Sequence, residues 1–242
     1  SGVVTGIGNA VDGFAVGDAV YGICAPLRDG SHAEQLAVDA VMASPKPASI
    51  SHAEAAATGV ASLTALAALD RDADIQQGDR VLIHAGAGGV GCYAIQYAAS
   101  RGAHVIATCS AGNADFVREM GASEVIDYRA GDFAAQVSDC DWAFDTVGGD
   151  VHVRSQTVLK PGGTLLVINT GPLPHYEPRA DIAITHSMVP GGHTALERLS
   201  ELLEDGSQKP VVTETFALDD AAEAYRQSQA GHTRGKLVIE MR

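Results

Sequence analysis

The stretch "RVLIHAGAGGVGCYAIQYAASRGAHVIATCS", residues 80–110, constrains the fold more than any other part of the chain. Gly86, Gly88 and Gly91 stand there at G-x-G-x-x-G spacing. Three glycines alone carry little information, but their surroundings carry a good deal. The apolar run Val81–Ala85 precedes them, and a helical stretch with Val90, Ala94 and Ala98 on one face follows, ended by Gly102. A second apolar run, His104–Thr108, completes a strand–turn–helix–strand unit. Such a unit pairs its strands in parallel, so the expected fold is α/β with a doubly wound Rossmann sheet. In that turn Gly86 permits the tight bend, Gly88 lets backbone N–H groups approach a pyrophosphate, and Gly91 lets helix and sheet pack closely. The helix N-terminus adds its positive dipole end.

An NAD site places Asp or Glu about 20 residues past the glycines, to bind the ribose 2′-hydroxyl. Residues His104–Ala114 contain no acid. A carboxylate would repel a 2′-phosphate, whereas Ser110 and the backbone of "SAGN" can hydrogen-bond one. NADP(H) is therefore favoured. NAD(H) stays open, because that loop holds no Arg or Lys; the nearest basic candidate is Arg129, beside Tyr128 at the end of the third strand. A nucleoside-triphosphate loop is a poor match, since "GHTRGKL" has the wrong spacing and no hydroxyl after Lys236.

The same rhythm continues beyond the turn. "EVIDY", "DWAFDTV", "TLLVIN" and "DIAITHSMV" are apolar throughout, as parallel strands covered on both faces should be. The front of the chain differs: short Val/Ile runs broken by Gly6, Gly8, Gly13 and Gly17 predict strands and turns up to about residue 42. Ser51 and Glu54 form a predicted capping box for a helix after "PKP". "HTALERLSELLEDG" predicts an amphipathic helix, and the end reads strand, helix, strand. Two domains are expected: a β-rich one from residues 1–50 and 209–242, and a nucleotide-binding one from residues 51–208.

Charge and composition remove other classes. With 16 basic against 30 acidic residues and a net charge of −14, the chain lacks the basic surface that nucleic acids or anionic membranes require. No apolar run is long enough to span a bilayer. Cys24, Cys92, Cys109 and Cys140 form no Cys-x-x-Cys pair, so no structural zinc is indicated, and scattered thiols fit a reducing cytoplasm. His186 and His193 flank "SMVPGG", and a surface or loop role is the simpler reading for both. His84, Tyr93 and Tyr97 read as packed or hydrogen-bonded residues. No tyrosine has a lysine four residues on, and no G-x-S-x-G elbow exists.

The segments "GDAVYG", "HAEAAATGVASLTAL", "GDRVLIHAGAGGVG", "FVREMGASEVIDYRAGDF", "DTVGGD", "LKPGGTLLVIN" and "GKLVIEM" resemble, in that order, the medium-chain dehydrogenases/reductases. The subgroup they resemble is the zinc-independent, quinone oxidoreductase-like one, which includes zeta-crystallins and many enoyl reductases. It implies a GroES-like β-rich domain beside the Rossmann domain. It also implies NADPH-dependent hydride transfer to a quinone, enone or enoyl-type conjugated carbonyl. By the same resemblance the pyrophosphate lies on Gly88, Gly89 and Val90, and Ser110 and Tyr128 face the 2′-phosphate. Val147 lies near the adenosine, Asn169 near the nicotinamide ribose, and Thr64 helps orient the nicotinamide. Many members carry Lys where Asn113 stands, which keeps NAD(H) open. A homodimer is implied through the edge strand near Ile182–Val189. The four-cysteine lobe of zinc-dependent members has no counterpart in "GDAVYGICAPLRDGSHAEQ". Family members begin well before the strand matching "SGVV", so much of the substrate pocket and any proton donor is expected upstream of Ser1. No catalytic residue is named. A non-catalytic, redox-sensing or interaction protein that binds NAD(P)H is the alternative.

Overall fold

The structure is a computed structural model and describes residues 1–242 except 25–29, 169–170, 190–191, 232 and 242. The chain divides into two compact units, Ser1–Leu63 with Pro190–Arg242, and Thr64–Val189.

The first unit opens with β1 (Gly2–Val3), β2 (Ala19–Gly22) and β3 (Ala43–Pro45), an antiparallel sheet in that order. Helix α1 (His52–Leu66) then starts on the expected capping box. Glu54 N–H donates to Ser51 Oγ at 3.2 Å, and Ser51 N–H donates to Glu54 Oε2 at 2.8 Å. The helix runs on into a π-helical stretch, Ala67–Asp72, whose end is marked by Ala73 N–H donating to Ala68 O.

The second unit holds β4 (Arg80–Ile83), α2 (Gly91–Ser100), β5 (His104–Cys109), α3 (Ala114–Glu119) and β6 (Glu124–Asp127). It continues with β7 (Cys140–Asp145), α4 (Asp150–Ser155), β8 (Leu159–Val167) and β9 (Ala183–His186). The six strands form one sheet in the order β6-β5-β4-β7-β8-β9, with every neighbouring pair parallel. Burial explains the unbroken apolar runs. Val81, Leu82, Ile83, Val105, Ile106, Ala143 and Leu165 are all inaccessible, because residues pointing to either face of the sheet meet a covering layer. Strand order reverses direction between β4 and β7, and in sheets of this kind the crevice outside the strands' C-terminal ends at that reversal is where ligands bind.

The first unit resumes with α5 (His193–Glu204), β10 (Val212–Ala217), α6 (Ala221–Gln229) and β11 (Lys236–Glu240), and β10 pairs parallel with β11. Leu196, Leu199, Leu202 and Leu203 form the buried stripe of α5. That helix is tied to the front of the chain: Tyr21 Oη donates to Leu196 O at 2.9 Å, and Ser62 Oγ donates to Gln208 Oε1. Along the chain, the joins between the two units fall inside α1 and before α5.

Candidate functional site

Two turns stand side by side at the reversal. His84 N–H donates to Phe144 O at 3.1 Å, and Thr146 Oγ1 donates to His84 O at 2.9 Å, so the ends of β4 and β7 are locked together. The left-handed residue of the first turn is Ala85, with φ 49°, rather than any of the glycines. The glycines supply room. A Cβ on Gly86 would sit 2.9 Å from Ile95 Cδ1 and 3.0 Å from Ala107 Cβ, between α2 and β5. A Cβ on Gly91 would sit 2.2 Å from Ala85 O, where the first turn of α2 crosses the end of β4. Gly88 differs, because its Cβ would meet only Ala85, at 3.2 Å from the carbonyl oxygen, and otherwise faces open space.

The N–H groups of Gly89, Val90 and Gly91 donate to no acceptor among the described residues. Unsatisfied donors at a helix N-terminus, on a surface with no intervening side chain at Gly88, suit the oxygens of a pyrophosphate. The residues present therefore fit a dinucleotide.

The second turn is built on Asp145, which is fully buried. Its Oδ1 accepts from Val147 N–H at 2.9 Å and Gly148 N–H at 2.7 Å. These bonds fix the loop that presents Val147, which is 46% exposed, at the C-terminal end of β7. Behind it, Asp145 Oδ2 faces His152 Nδ1 at 3.3 Å, and His152 Nε2 lies 2.9 Å from the Tyr176 hydroxyl. Neither Asp145, His152 nor Tyr176 was a sequence candidate. The legible signal was an acid ending an apolar strand just before Gly148–Gly149, where positive φ at both glycines bends the chain.

His84 completes the floor. Thr108 Oγ1 lies 3.2 Å from both Ala85 N and His84 Nδ1, and Ser155 Oγ lies 2.9 Å from His84 Nε2 while donating to Val151 O at 2.6 Å. A neutral imidazole satisfies all four contacts and also gives the Thr108 hydroxyl proton an acceptor. Thr108 accepts from Ala85 N–H and donates to Nδ1, and Nε2–H donates to Ser155. Burial favours this neutral form by lowering the pKa from 6.5 to about 4. The unfolded chain takes up this proton first as pH falls, so stability should be full above pH 6.5 and decline toward pH 4. The loss approaches roughly 3 kcal/mol for a shift of this size. Urea unfolding of wild type and His84→Gln at pH 7 and pH 4.5 checks this: the variant should lose distinctly less stability on acidification.

The residues expected around the 2′-phosphate cluster at the ends of β5 and β6. Asn113 Nδ2 donates to Ser110 Oγ at 3.2 Å, and Tyr128 N–H donates to Cys109 O at 3.2 Å. The Arg129 guanidinium lies 5.6 Å from the centre of the half-exposed Tyr128 ring. Asp127, which ends β6 opposite Cys109, accepts from Arg129 N–H at 3.0 Å. Thr64 is buried near the end of α1, and Asn169 lies outside the described residues.

The other candidates have ordinary partners. Tyr93 and Tyr97 are buried in α2, and Tyr97 Oη donates to Asp70. His193 Nδ1 lies 3.2 Å from Ala43 O and its Nε2 3.2 Å from Glu197, while His186 is the exposed end of β9. Among the described residues no group of three or more His, Cys, Asp or Glu could hold a metal ion, and no helix is long and apolar enough to cross a membrane.

Comparison with known proteins gives concordant similarities. A family profile described as zinc-binding dehydrogenase matches residues 120–239. The mitochondrial NAD(P)H oxidoreductase RTN4IP1 of Danio rerio is 32% identical over the whole chain, which spans 70% of that protein. The quinone oxidoreductase from Coxiella burnetii superposes with a TM-score of 0.91 at 32% identity, covering 100% of this chain and 77% of that one. The Escherichia coli quinone oxidoreductase complexed with NADPH superposes at 0.89 and 26% identity, covering 99% and 80%.

Proposed function

Because the chain belongs to the quinone oxidoreductase-like family of medium-chain dehydrogenases/reductases, we propose that it reduces a quinone, enone or enoyl-type conjugated carbonyl with NADPH and without zinc. It is an oxidoreductase that works with a nicotinamide cofactor. Bound NADPH supplies hydride to the electron-poor carbon of the acceptor, and the protein contributes positioning and electrostatics. The amides of Gly89, Val90 and Gly91 hold the pyrophosphate over the open face of Gly88. Val147 offers apolar surface to the adenosine, and Thr64 and Asn169 serve the nicotinamide end.

The observation that carries the choice of NADPH is the end of β5. Ser110 and Asn113 present a hydroxyl and an amide there, no carboxylate stands on the segment from His104 to Ala114, and Arg129 is the cation on the neighbouring strand end. Removing that cation should weaken NADPH selectively. For Arg129→Ala we expect the Kd for NADPH to rise about tenfold, the effect of one charge-assisted contact, with NADH held within about twofold. Fluorescence titration with both cofactors reads the ratio. An equal change for both would move the 2′-phosphate away from this corner.

Activity is tested by steady consumption of NADPH with quinone, enone and enoyl-thioester panels. Tight NADPH binding with no turnover on any of them supports a redox-sensing or interaction protein instead. None of the four cysteines is in a disulfide, which suits a reducing compartment such as the cytoplasm, and the net charge of −14 argues against a nucleic-acid partner. As the terminal strand of its sheet, β9 offers an unpaired edge for a homodimer. Light scattering should then give twice the 24.9 kDa chain mass, and a monomer mass would defeat the pairing.

A further inference from the structure

Tyr176 lies on the connection between β8 and β9, away from every motif in the sequence, yet it is three contacts from the Val147–Gly148 turn. Its hydroxyl is 2.9 Å from His152 Nε2, and the two rings meet edge to face at 5.5 Å. His152 is buried on α4, with Nδ1 facing the equally buried Asp145 Oδ2. Asp145 Oδ1 in turn holds the Val147 and Gly148 amides.

The proton inventory orders this chain. An ionised Asp145 only accepts, so the imidazole edge facing it must be Nδ1–H, and in the neutral ring Nε2 then accepts the Tyr176 proton. The contact between Nδ1 and Oδ2 is close but poorly aligned, and neither atom has a properly directed hydrogen bond. The imidazole is therefore oriented chiefly from its other side, by Tyr176. A fully buried carboxylate with one oxygen so weakly satisfied depends on where that ring sits. The same connection has an independent anchor: Arg179 Nη1 donates to Gln156 O at 2.6 Å and Leu159 O at 2.9 Å.

We infer that Tyr176 is a positioning residue for the cofactor turn, acting through His152 and Asp145 on the Val147 and Gly148 amides. The inference rests on the proposed function for its reading of that turn as part of the dinucleotide site. It makes cofactor affinity depend on the contact between the Tyr176 hydroxyl and His152.

Tyr176→Phe keeps the ring and removes the hydroxyl. Amide hydrogen exchange followed by NMR in the cofactor-free protein should show Val147 and Gly148 exchanging about 3–10-fold faster, the range for one lost hydrogen bond, with Leu82 and Ile83 unchanged. The Kd for NADPH should rise by a similar factor. Arg179→Ala loosens the same connection without touching His152 and should leave those two amides at the wild-type rate. Unchanged amides in Tyr176→Phe, an equal change in Arg179→Ala, or acceleration spread through β4 each overturns the inference alone. A wild-type protein that binds no nicotinamide cofactor overturns the proposed function and the cofactor half of this inference with it, while the amide rates still decide the coupling.

Discussion

Gly91→Ala should abolish useful NADPH binding, with an affinity loss on the order of 100-fold, and lower stability by about 2–3 kcal/mol. The new Cβ would lie 2.2 Å from Ala85 O and 2.9 Å from both the Ala85 carbonyl carbon and Gly86 Cα. These are backbone atoms, so no side chain can swing away. Ala85 already occupies the left-handed region and its carbonyl accepts from Gly88 N–H at 2.8 Å, which leaves it little freedom to retreat. The start of α2 must therefore move outward by about an ångström, carrying the Gly89, Val90 and Gly91 amides with it. Gly88→Ala separates the two effects. Its Cβ meets only Ala85, so stability should change by less than about 1 kcal/mol, while a methyl group on the open face still obstructs the pyrophosphate. Urea unfolding and NADPH titration of both variants measure this, and wild-type values for Gly91→Ala would refute the close approach.

Asp145→Ala should be the most destabilising single change at the site, at about 3–5 kcal/mol. It strips the Val147 and Gly148 N–H groups of their acceptor and leaves His152 facing an apolar gap with no exposure to water. Asp145→Asn keeps a carbonyl oxygen for the two amides and should retain about half of the lost stability. Equal losses in the two variants would mean that the charge, rather than the hydrogen bonds to the turn, is what the fold requires.

Much of this site was legible because glycine spacing, strand rhythm and helix caps are local properties. Ser51 and Glu54 cap α1 as a sequence pattern of that type must, and the apolar runs are buried because a parallel sheet is covered on both faces. The division of labour inside the turn was less legible. Gly86 reads as the residue that bends the chain, yet Ala85 takes the positive φ and Gly86 makes room for Ile95 and Ala107, which lie on other elements.

What the sequence determined by itself is the doubly wound sheet, the glycine turn between β4 and α2, and the absence of an acid at the end of β5. Each depends on neighbours within a few residues, through φ/ψ preference, capping and periodicity. Only the tertiary structure decided that Asp145, His152 and Tyr176 form one line behind the Val147 turn, and that His84 is neutral between Thr108 and Ser155. Those contacts join β7, α4, the β8–β9 connection, β4 and β5. Burial there makes each hydrogen bond costly to lose, and no single stretch of sequence carries both partners.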